Sequence, residues 1–377
     1  MSVPITPRGG ALAAGSLAVT VAGTALGYPE LNALGAAGLL LVALALVMVA
    51  PPVSFGADRR VAPDRVAVGG VAESLDTVAN EGRRRAGTAL ALDRVGAAAV
   101  EIAVPALSPG RSHTVPYRLP TDRRAVLDVG PLLVVRSDPL GLAERRVEVG
   151  GAARLWVHPR VHAVAPLPVG RSRDLEGPTS DLARGDGSFH ALREYVVGDD
   201  LRRVHWKATA HRGALMVREH ADPARPDVTV ALDDRAGALG ADDFELAVEV
   251  VASVCVASRR SGFPVRLVSA SGALDGAPLG DETALLDLLA GAGQHPAGDP
   301  VPPSVAAGGP AARALVAVVG RPAPGDLQRW AAAGRRFGGT IVVVAGRHDD
   351  VPAAPAGVHL VTAPTAAQFA TAWGGLR

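Results

Sequence analysis

Cysteine is nearly absent from this 377-residue sequence: Cys255 stands alone, which excludes an internal disulfide. It lies in an apolar helical pattern, where a thiol reads as core filling rather than as a nucleophile. Lysine also occurs once, at Lys207. Net charge is only +1, so the basic excess that marks a nucleic-acid partner is missing. The glycine-rich signatures of nucleotide binding do not occur. Nor does the serine-hydrolase elbow; its nearest approach, starting at Gly170, lacks the final glycine. Aromatic residues make up 3%, so any stretch that gathers them stands out.

Charge is absent from two long runs near the start, Gly9 to Pro29 and Leu31 to Ala57, separated by Glu30 alone. About 20 apolar residues span a bilayer as a helix. A transmembrane helical hairpin is therefore expected within residues 1–55, with helices near 10–27 and 31–50, the second stopped by Pro51 and Pro52. The alternative for the first run is a cleaved signal peptide. Gly23 and Gly27 form a GxxxG pair that would allow close helix contact. Arg8 precedes the hairpin, Arg59, Arg60 and Arg65 follow it, and the turn holds only Glu30. The bias of positive charge predicts a multi-pass plasma-membrane protein with both ends of the hairpin, and the soluble domains, in the cytoplasm.

Residues 56–165 read as short Val- and Leu-rich strands punctuated by Gly, Pro and Asp turns, the pattern of an antiparallel β-sandwich. A weak helical patch interrupts it near Ala86 to Ala99. Residues 166–225 form a polar, irregular linker. From 226 to 377 strands alternate with helices, which predicts a parallel, doubly wound α/β domain. Its first helix, Asp242 to Arg260, carries a capping-box-like Asp242/Glu245 pair. Gly291 to Pro310 reads as a flexible loop. The whole is an α+β multidomain chain.

The linker holds the most informative stretch, Gly185 to His220, which sets four of the ten histidines and a high density of charge around Phe189, Tyr195 and Trp206. Arg193-Glu194-Tyr195 followed by Gly198-Asp199-Asp200 suggests a strand, a tight turn and a helix start. Asp199 or Asp200 would cap the helix LRRVHWKATAHR. Within the helix Arg202 and Arg203 face outward in the first turn, and Trp206 is the better candidate for burial. The block FHALREYVVGDDLRRVHWKATAHRGALMVRE resembles the hallmark of the domain-of-unknown-function 58 family of bacterial membrane-associated proteins. TDRRAVLDVGPLLVVRSDPLGLAERR is similar to that family's strand pair and its turn, here Asp138 to Leu142. The resemblance implies a C-terminal domain like that of von Willebrand factor A. It also implies a role beside a MoxR-type AAA ATPase and a transglutaminase-like membrane protein, with no reaction assigned.

A von Willebrand A domain holds a divalent metal with Asp-x-Ser-x-Ser after its first strand, because a hard cation wants clustered oxygens. Here Asp233 begins the motif, but Arg235 and Gly237 replace the hydroxyls. The motif is degenerate and neither metal nor cofactor is expected. His190, His205, His211 and His220 match no zinc spacing. The hallmark residues Arg193, Glu194, Tyr195, Gly198, Asp199, Asp200, Arg202, Arg203, Trp206 and Lys207 form either a partner surface or a structural joint between domains. The function expected is that of a membrane-anchored, non-catalytic scaffold or adaptor working with the ATPase in assembly or maturation of other proteins or the cell envelope. Two rivals remain: a hydrolase using Asp199, Asp200, His205 and Lys207, and a metal-dependent adhesion module.

Overall fold

The computed structural model describes residues 5–50, 54–167, 189–195, 204–220, 228–275, 281–296, 298–307, 314–348 and 350–376. The chain divides into two compact units, Met1–His158 and Pro159–Arg377. Together they are a mixed α+β protein with two N-terminal apolar helices and several sheets.

The first unit opens with α1 (Pro7–Leu26) and α2 (Pro29–Val49), each long and apolar enough to cross a membrane. At 1.5 Å per residue each is about 30 Å long. Their contact follows a seven-residue repeat. Gly9, Ser16 and Gly23 are the buried positions of α1, and Gly35, Gly38, Val42, Ala45 and Val49 those of α2. Small residues bring the backbones close: a Cβ at Gly35 would collide with Thr20 Oγ1, and one at Gly38 with Ser16 Oγ. Gly27, the second member of the expected GxxxG pair, takes no part. It is the left-handed C-cap of α1, at φ 75°, with open space around it.

Nine strands follow: β1 (Phe55–Ala62), β2 (Arg65–Ala67), β3 (Glu73–Asn80), β4 (Ala89–Val95), β5 (Ala98–Val104), β6 (Ser112–Arg118), β7 (Ala125–Ser137), β8 (Glu144–Val149) and β9 (Ala153–His158). They form a three-stranded sheet, β1-β3-β6, and a six-stranded one in which β2-β9-β7-β4-β5 run in order and β8 pairs with β7. One core cluster joins Phe55 and Val78 from the small sheet to Ala91, Ile102, Leu132 and Val134 from the large one. The patch near Ala86 to Ala99 is a hairpin of β4 and β5, not a helix. Strands expected on either side of Gly130 are one 13-residue strand, β7.

The turn Asp138 to Leu142 meets the foot of the hairpin. Asp138 accepts hydrogen bonds from Leu140 N (2.8 Å) and Ala143 N (2.6 Å), which hold its carboxyl below the usual range despite burial. Thr6 donates through its amide to Leu142 O (3.0 Å) and through its hydroxyl to Gly141 O (2.7 Å). Leu142 and Ala143 pack with Val42, Ala45 and Val49. Gly9 is required here, since any Cβ would run into Leu142 O.

The second unit contains β10 (Phe189–Glu194), α3 (Trp206–Arg212), β11 (Met216–His220), β12 (Val228–Leu232), α4 (Ala241–Arg260), β13 (Val265–Ser269) and α5 (Glu282–Ala290). After these come α6 (Pro303–Ala306), β14 (Ala314–Val319), α7 (Asp326–Gly334), β15 (Thr340–Ala345), β16 (Val358–Ala363) and α8 (Ala366–Gly374). Five strands make an all-parallel sheet in the order β13-β12-β14-β15-β16. Residues of α4, α5 and α8 share one core cluster with the sheet, and Val305 of α6 with Leu327 and Trp330 of α7 share the other. Covered on both faces, β12, β14 and β15 are buried at every position and so read as continuous apolar runs. Cys255 is fully buried in α4, and burial pushes its thiol well up. The expected capping box does not open α4. Its N-cap is Gly240, with no side-chain capping bond, and Asp242 and Asp243 place negative charge in its first turn. The stretch Gly291 to Pro310 includes α6.

Candidate functional site

Two places invite a functional reading, the hallmark block and the C-terminal end of the parallel sheet. In the block, β10 and β11 pair antiparallel, with Arg193 opposite Val217 and Glu194 opposite Met216. Tyr195 N donates to Leu215 O (2.8 Å) and His205 N to Met216 O (2.8 Å). The latter bond ties His205 to the start of β11 and keeps it out of the helix, which begins only at Trp206. That corrects the expected start at Leu201. The N-cap is His205, whose Nδ1 accepts from Ala208 N (3.1 Å). That bond engages one of the two ring nitrogens in the helix cap. Thr209 Oγ1 accepts from Met216 N (3.0 Å), and Gly213 ends α3 at φ 70°.

Val204 and Met216 are buried under this small assembly, whereas Lys207 and His211 are exposed. Lys207 therefore does not share the buried side with Val204. Trp206 is 67% exposed, which overturns its expected burial. The register explains it: the chain has just left the pairing with β11, and the first helical side chain points away from the strand. Leu215, 40% exposed, adds a second apolar group nearby in the sequence. Gly198, Asp199, Asp200, Arg202, Arg203 and the expected cap at Asp199 or Asp200 lie outside the described residues; so does the Gly170 motif.

At the sheet, strand order reverses between β12 and β14, the position where parallel sheets commonly bind ligands. Asp233 and Asp234 follow β12, and Asp326 opens α7 after β14. All three are buried. Arg235 grips Asp233 with a two-pronged pair, Nε to Oδ1 and Nη2 to Oδ2, each 2.7 Å, and Nη2 lies 3.6 Å from Asp326. The Asp233 carboxylate is the main cause that raises the guanidinium further above its ordinary value. Asp234 faces another way, accepting from Ser271 N (2.8 Å) and the Ser271 hydroxyl, while its own carbonyl accepts from His295 N (2.8 Å). Asp326 closes the turn that leads into α7, accepting from Ala323 N (3.1 Å). The residue that breaks the metal motif thus supplies a cation of its own. Asp326, 93 positions beyond Asp233, carried no sequence signal for this role. Among the described residues no group of three or more His, Cys, Asp or Glu is arranged to hold a metal.

Residues 191–291 match the family described as "Protein of unknown function DUF58". "Uncharacterized protein YeaD" of Bacillus subtilis (strain 168) is 29% identical over 180 residues, 47% of this chain and 44% of that protein. The matched segment thus spans less than half of the relative's length. Both findings support that family for this chain. Among solved structures, the CARDB domain of a Pyrococcus furiosus protein is 15% identical over 28% of this chain and 93% of that one, with a TM-score of 0.23. An alkylpurine DNA glycosylase of Pseudomonas fluorescens is 16% identical over 34% and 39%, with a TM-score of 0.22. Likeness at that level assigns neither fold nor function.

Proposed function

We propose that this chain is a membrane-anchored, non-catalytic adaptor. In this reading α1 and α2 cross the plasma membrane, and a β-sandwich and a von Willebrand A-like domain lie in the cytoplasm. The hallmark block is its partner surface, and the partner is a MoxR-type AAA ATPase, with a transglutaminase-like membrane protein in the same assembly. The observation that carries this is the exposure of Trp206. A tryptophan two-thirds open to solvent on a chain so poor in aromatics is costly unless something covers it, and Trp is among the commonest anchors of protein interfaces. Arg193, Arg202 and Arg203 in the same block add the other common anchor type. The His205 ring engaged in the helix cap and the exposed Lys207 weigh against a hydrolase. The guanidinium seated on Asp233 weighs against metal-dependent adhesion.

The test is co-purification of the full chain from detergent-solubilised membranes with the ATPase, using wild type, Trp206→Ala and Arg203→Ala. Both variants are expected to fold and to lose most of the bound ATPase. Undiminished binding by Trp206→Ala would sink the partner surface. Reporter fusions after Leu107 and at the C-terminus are expected to be active only as cytoplasmic reporters.

A further inference from the structure

The strands of the first unit end in two sets of loops that differ in charge. β1 starts where β3 ends, with Phe55 opposite Asn80, and β6 starts there too, with Ser112 opposite Ala79. β4 starts where β5 and β7 end, with Ala89 opposite Val104 and Leu90 opposite Val135. Loops 81–88 and 105–111 therefore lie at the same end as the turn Asp138 to Leu142, which touches the foot of the hairpin. This end carries Arg83, Arg84, Arg85 and Arg111 against Glu81 and Asp138, and the Asp138 carboxylate is buried and taken up by the amides of its turn. The loops at the opposite end carry Asp64, Asp122, Arg123 and Arg124, two charges of each sign. All four arginines of the hairpin end are exposed, and among the described residues no carboxylate pairs with them.

A run of like charges is usually a solvated, loose stretch, but this one is held in place. Asn80 is fully buried; its Nδ2 donates to Arg84 O and Leu107 O, each at 2.9 Å, and its Oδ1 accepts from Gly82 N (3.0 Å). Its backbone bonds the second loop, N to Arg111 O (2.9 Å) and O from Gly110 N (2.8 Å). Ala86 and Leu107 join the two loops through both their amides, at 2.8 and 3.0 Å. One buried side chain thus sets both arginine loops side by side. Guanidiniums gathered without counter-charge repel one another, so the arrangement calls for an anionic surface.

Position identifies that surface. Glu81 N donates to Ser54 O (2.8 Å). Ser54 follows Ala50, the C-cap of α2, by four residues, at most about 14 Å of chain. With α1 and α2 across a bilayer, Ala50 lies at its surface, and the first arginine loop begins within about two Debye lengths of it at physiological salt. Leu140, 58% exposed in the Asp138 turn, offers an apolar side chain at the same end. Arginines together with exposed apolar groups are what surfaces resting on lipid headgroups present.

We propose that the arginine loops 81–88 and 105–111 form a docking surface for anionic phospholipid headgroups, which seats the strand-rich unit on the membrane that its hairpin crosses. The surface rests on the reading of α1 and α2 as membrane-spanning. Each arginine near an anionic leaflet favours contact by on the order of fivefold, so Arg83, Arg84 and Arg85 together raise the docked-to-undocked ratio by on the order of a hundredfold.

The full chain is labelled with a fluorophore at Gly87→Cys, where a side chain meets open space; Cys255 is buried and does not compete for label. It is reconstituted into vesicles of phosphatidylcholine, or of equal parts phosphatidylcholine and phosphatidylglycerol, each doped with phosphatidylcholine that carries a nitroxide quencher on its headgroup. Quenching at Gly87→Cys is expected to rise severalfold with phosphatidylglycerol and to fall back at high salt. A label at Ala97→Cys, in the turn at the opposite end, is expected to respond to neither. Arg83→Gln/Arg84→Gln/Arg85→Gln is expected to lose the response at Gly87→Cys. Equal quenching in the two lipids, an undiminished response in the triple variant, or the same response at Ala97→Cys overturns the surface. So does loss of the bound ATPase by the triple variant with quenching indifferent to lipid, which assigns the loops to a protein partner. Comparison of the two lipids needs no arginine variant and stands even if the triple variant misfolds. Resistance of the protein to alkaline extraction from phosphatidylcholine vesicles tests the spanning helices separately. Failure there removes the membrane reading, whereas failure of the lipid response alone removes only this surface.

Discussion

Each unit of the molecule contains an arginine set between two aspartates, and the two clusters behave as different devices. In the strand-rich unit, Arg59 of β1 bonds Asp76 of β3 through Nε (3.0 Å) and Asp93 of β4 through Nη2 (2.5 Å). Its remaining donors reach Val129 O and Gly151 O, each at 3.0 Å. Ser74 and Tyr117 donate to the same carboxylates. Partners lie on different strands of both sheets, and Asp93 is fully buried. In the α/β unit Arg235 takes its main partner from two residues away and stays one-fifth exposed. The first cluster holds separate strands together across a core. The second neutralises a loop at the C-terminal end of the parallel sheet. Identical chemistry becomes tertiary glue or local plug according to the sequence distance it closes and the water it excludes.

The comparison breaks most visibly at Arg59. Arg59→Met strands two carboxylates in a core, and losing one member of a buried ionic set costs about 3–5 kcal/mol. Thermal unfolding of the full chain in detergent should show a larger loss than for Tyr117→Phe, Arg235→Ser or Trp206→Ala; a small loss would mean that the carboxylates do not depend on Arg59. Tyr117→Phe removes a hydroxyl that donates to Asp93, and a hydrogen bond to a charged group contributes about 1.5–3 kcal/mol. The same cluster predicts a pH effect. Burial, with Asp76 close by, raises Asp93 to about 6, above the ordinary value of about 4. Between those values the native state binds the proton and the unfolded chain does not. The stability contributed by Asp93 is therefore present below about pH 4 and is lost as pH rises through about 6. Asp93→Asn should flatten the dependence in that window; an unchanged slope would assign it elsewhere.

Arg235→Ser should cost less, about 1–2 kcal/mol, because the plug is local and partly solvated. Without the guanidinium, Asp233, Asp326 and a new hydroxyl offer oxygens to a hard cation. The variant's melting temperature should then rise with Ca²⁺ or Mg²⁺, while that of the wild type does not respond. A wild-type response would show that Arg235 does not exclude metal. The smallest effect belongs to Trp206→Ala, expected within about 0.5 kcal/mol of wild type as an exposed position. A large loss would return Trp206 to a structural role.

Periodicity made some of these elements readable and hid others. β12, β14 and β15 are unbroken apolar runs between helical stretches, and their parallel sheet follows from that. β3 is hidden in the sequence because its inward positions are polar: it buries Ser74, Asp76 and Asn80 around one valine. Alternation of hydrophobic and polar residues cannot reveal a strand whose core face is an ionic network. At the hallmark block the residue types were legible, but the helix start was not, because His205 is held by a strand 11 residues later. Arg235 was recognisable as hostile to a metal. Its seat beside Asp326 depends on two loops that only the sheet brings together.

Gly9 has a mechanical consequence. Its missing Cβ lets Leu142 O sit against α1, while Thr6 ties the same turn from the other side. That turn is the end of β7, a 13-residue strand of roughly 43 Å that pairs with β4, β8 and β9. Among the described residues, hairpin and large sheet are thus joined through a stiff strand and its turn. A tilt of the helices would act on the sheet through that contact.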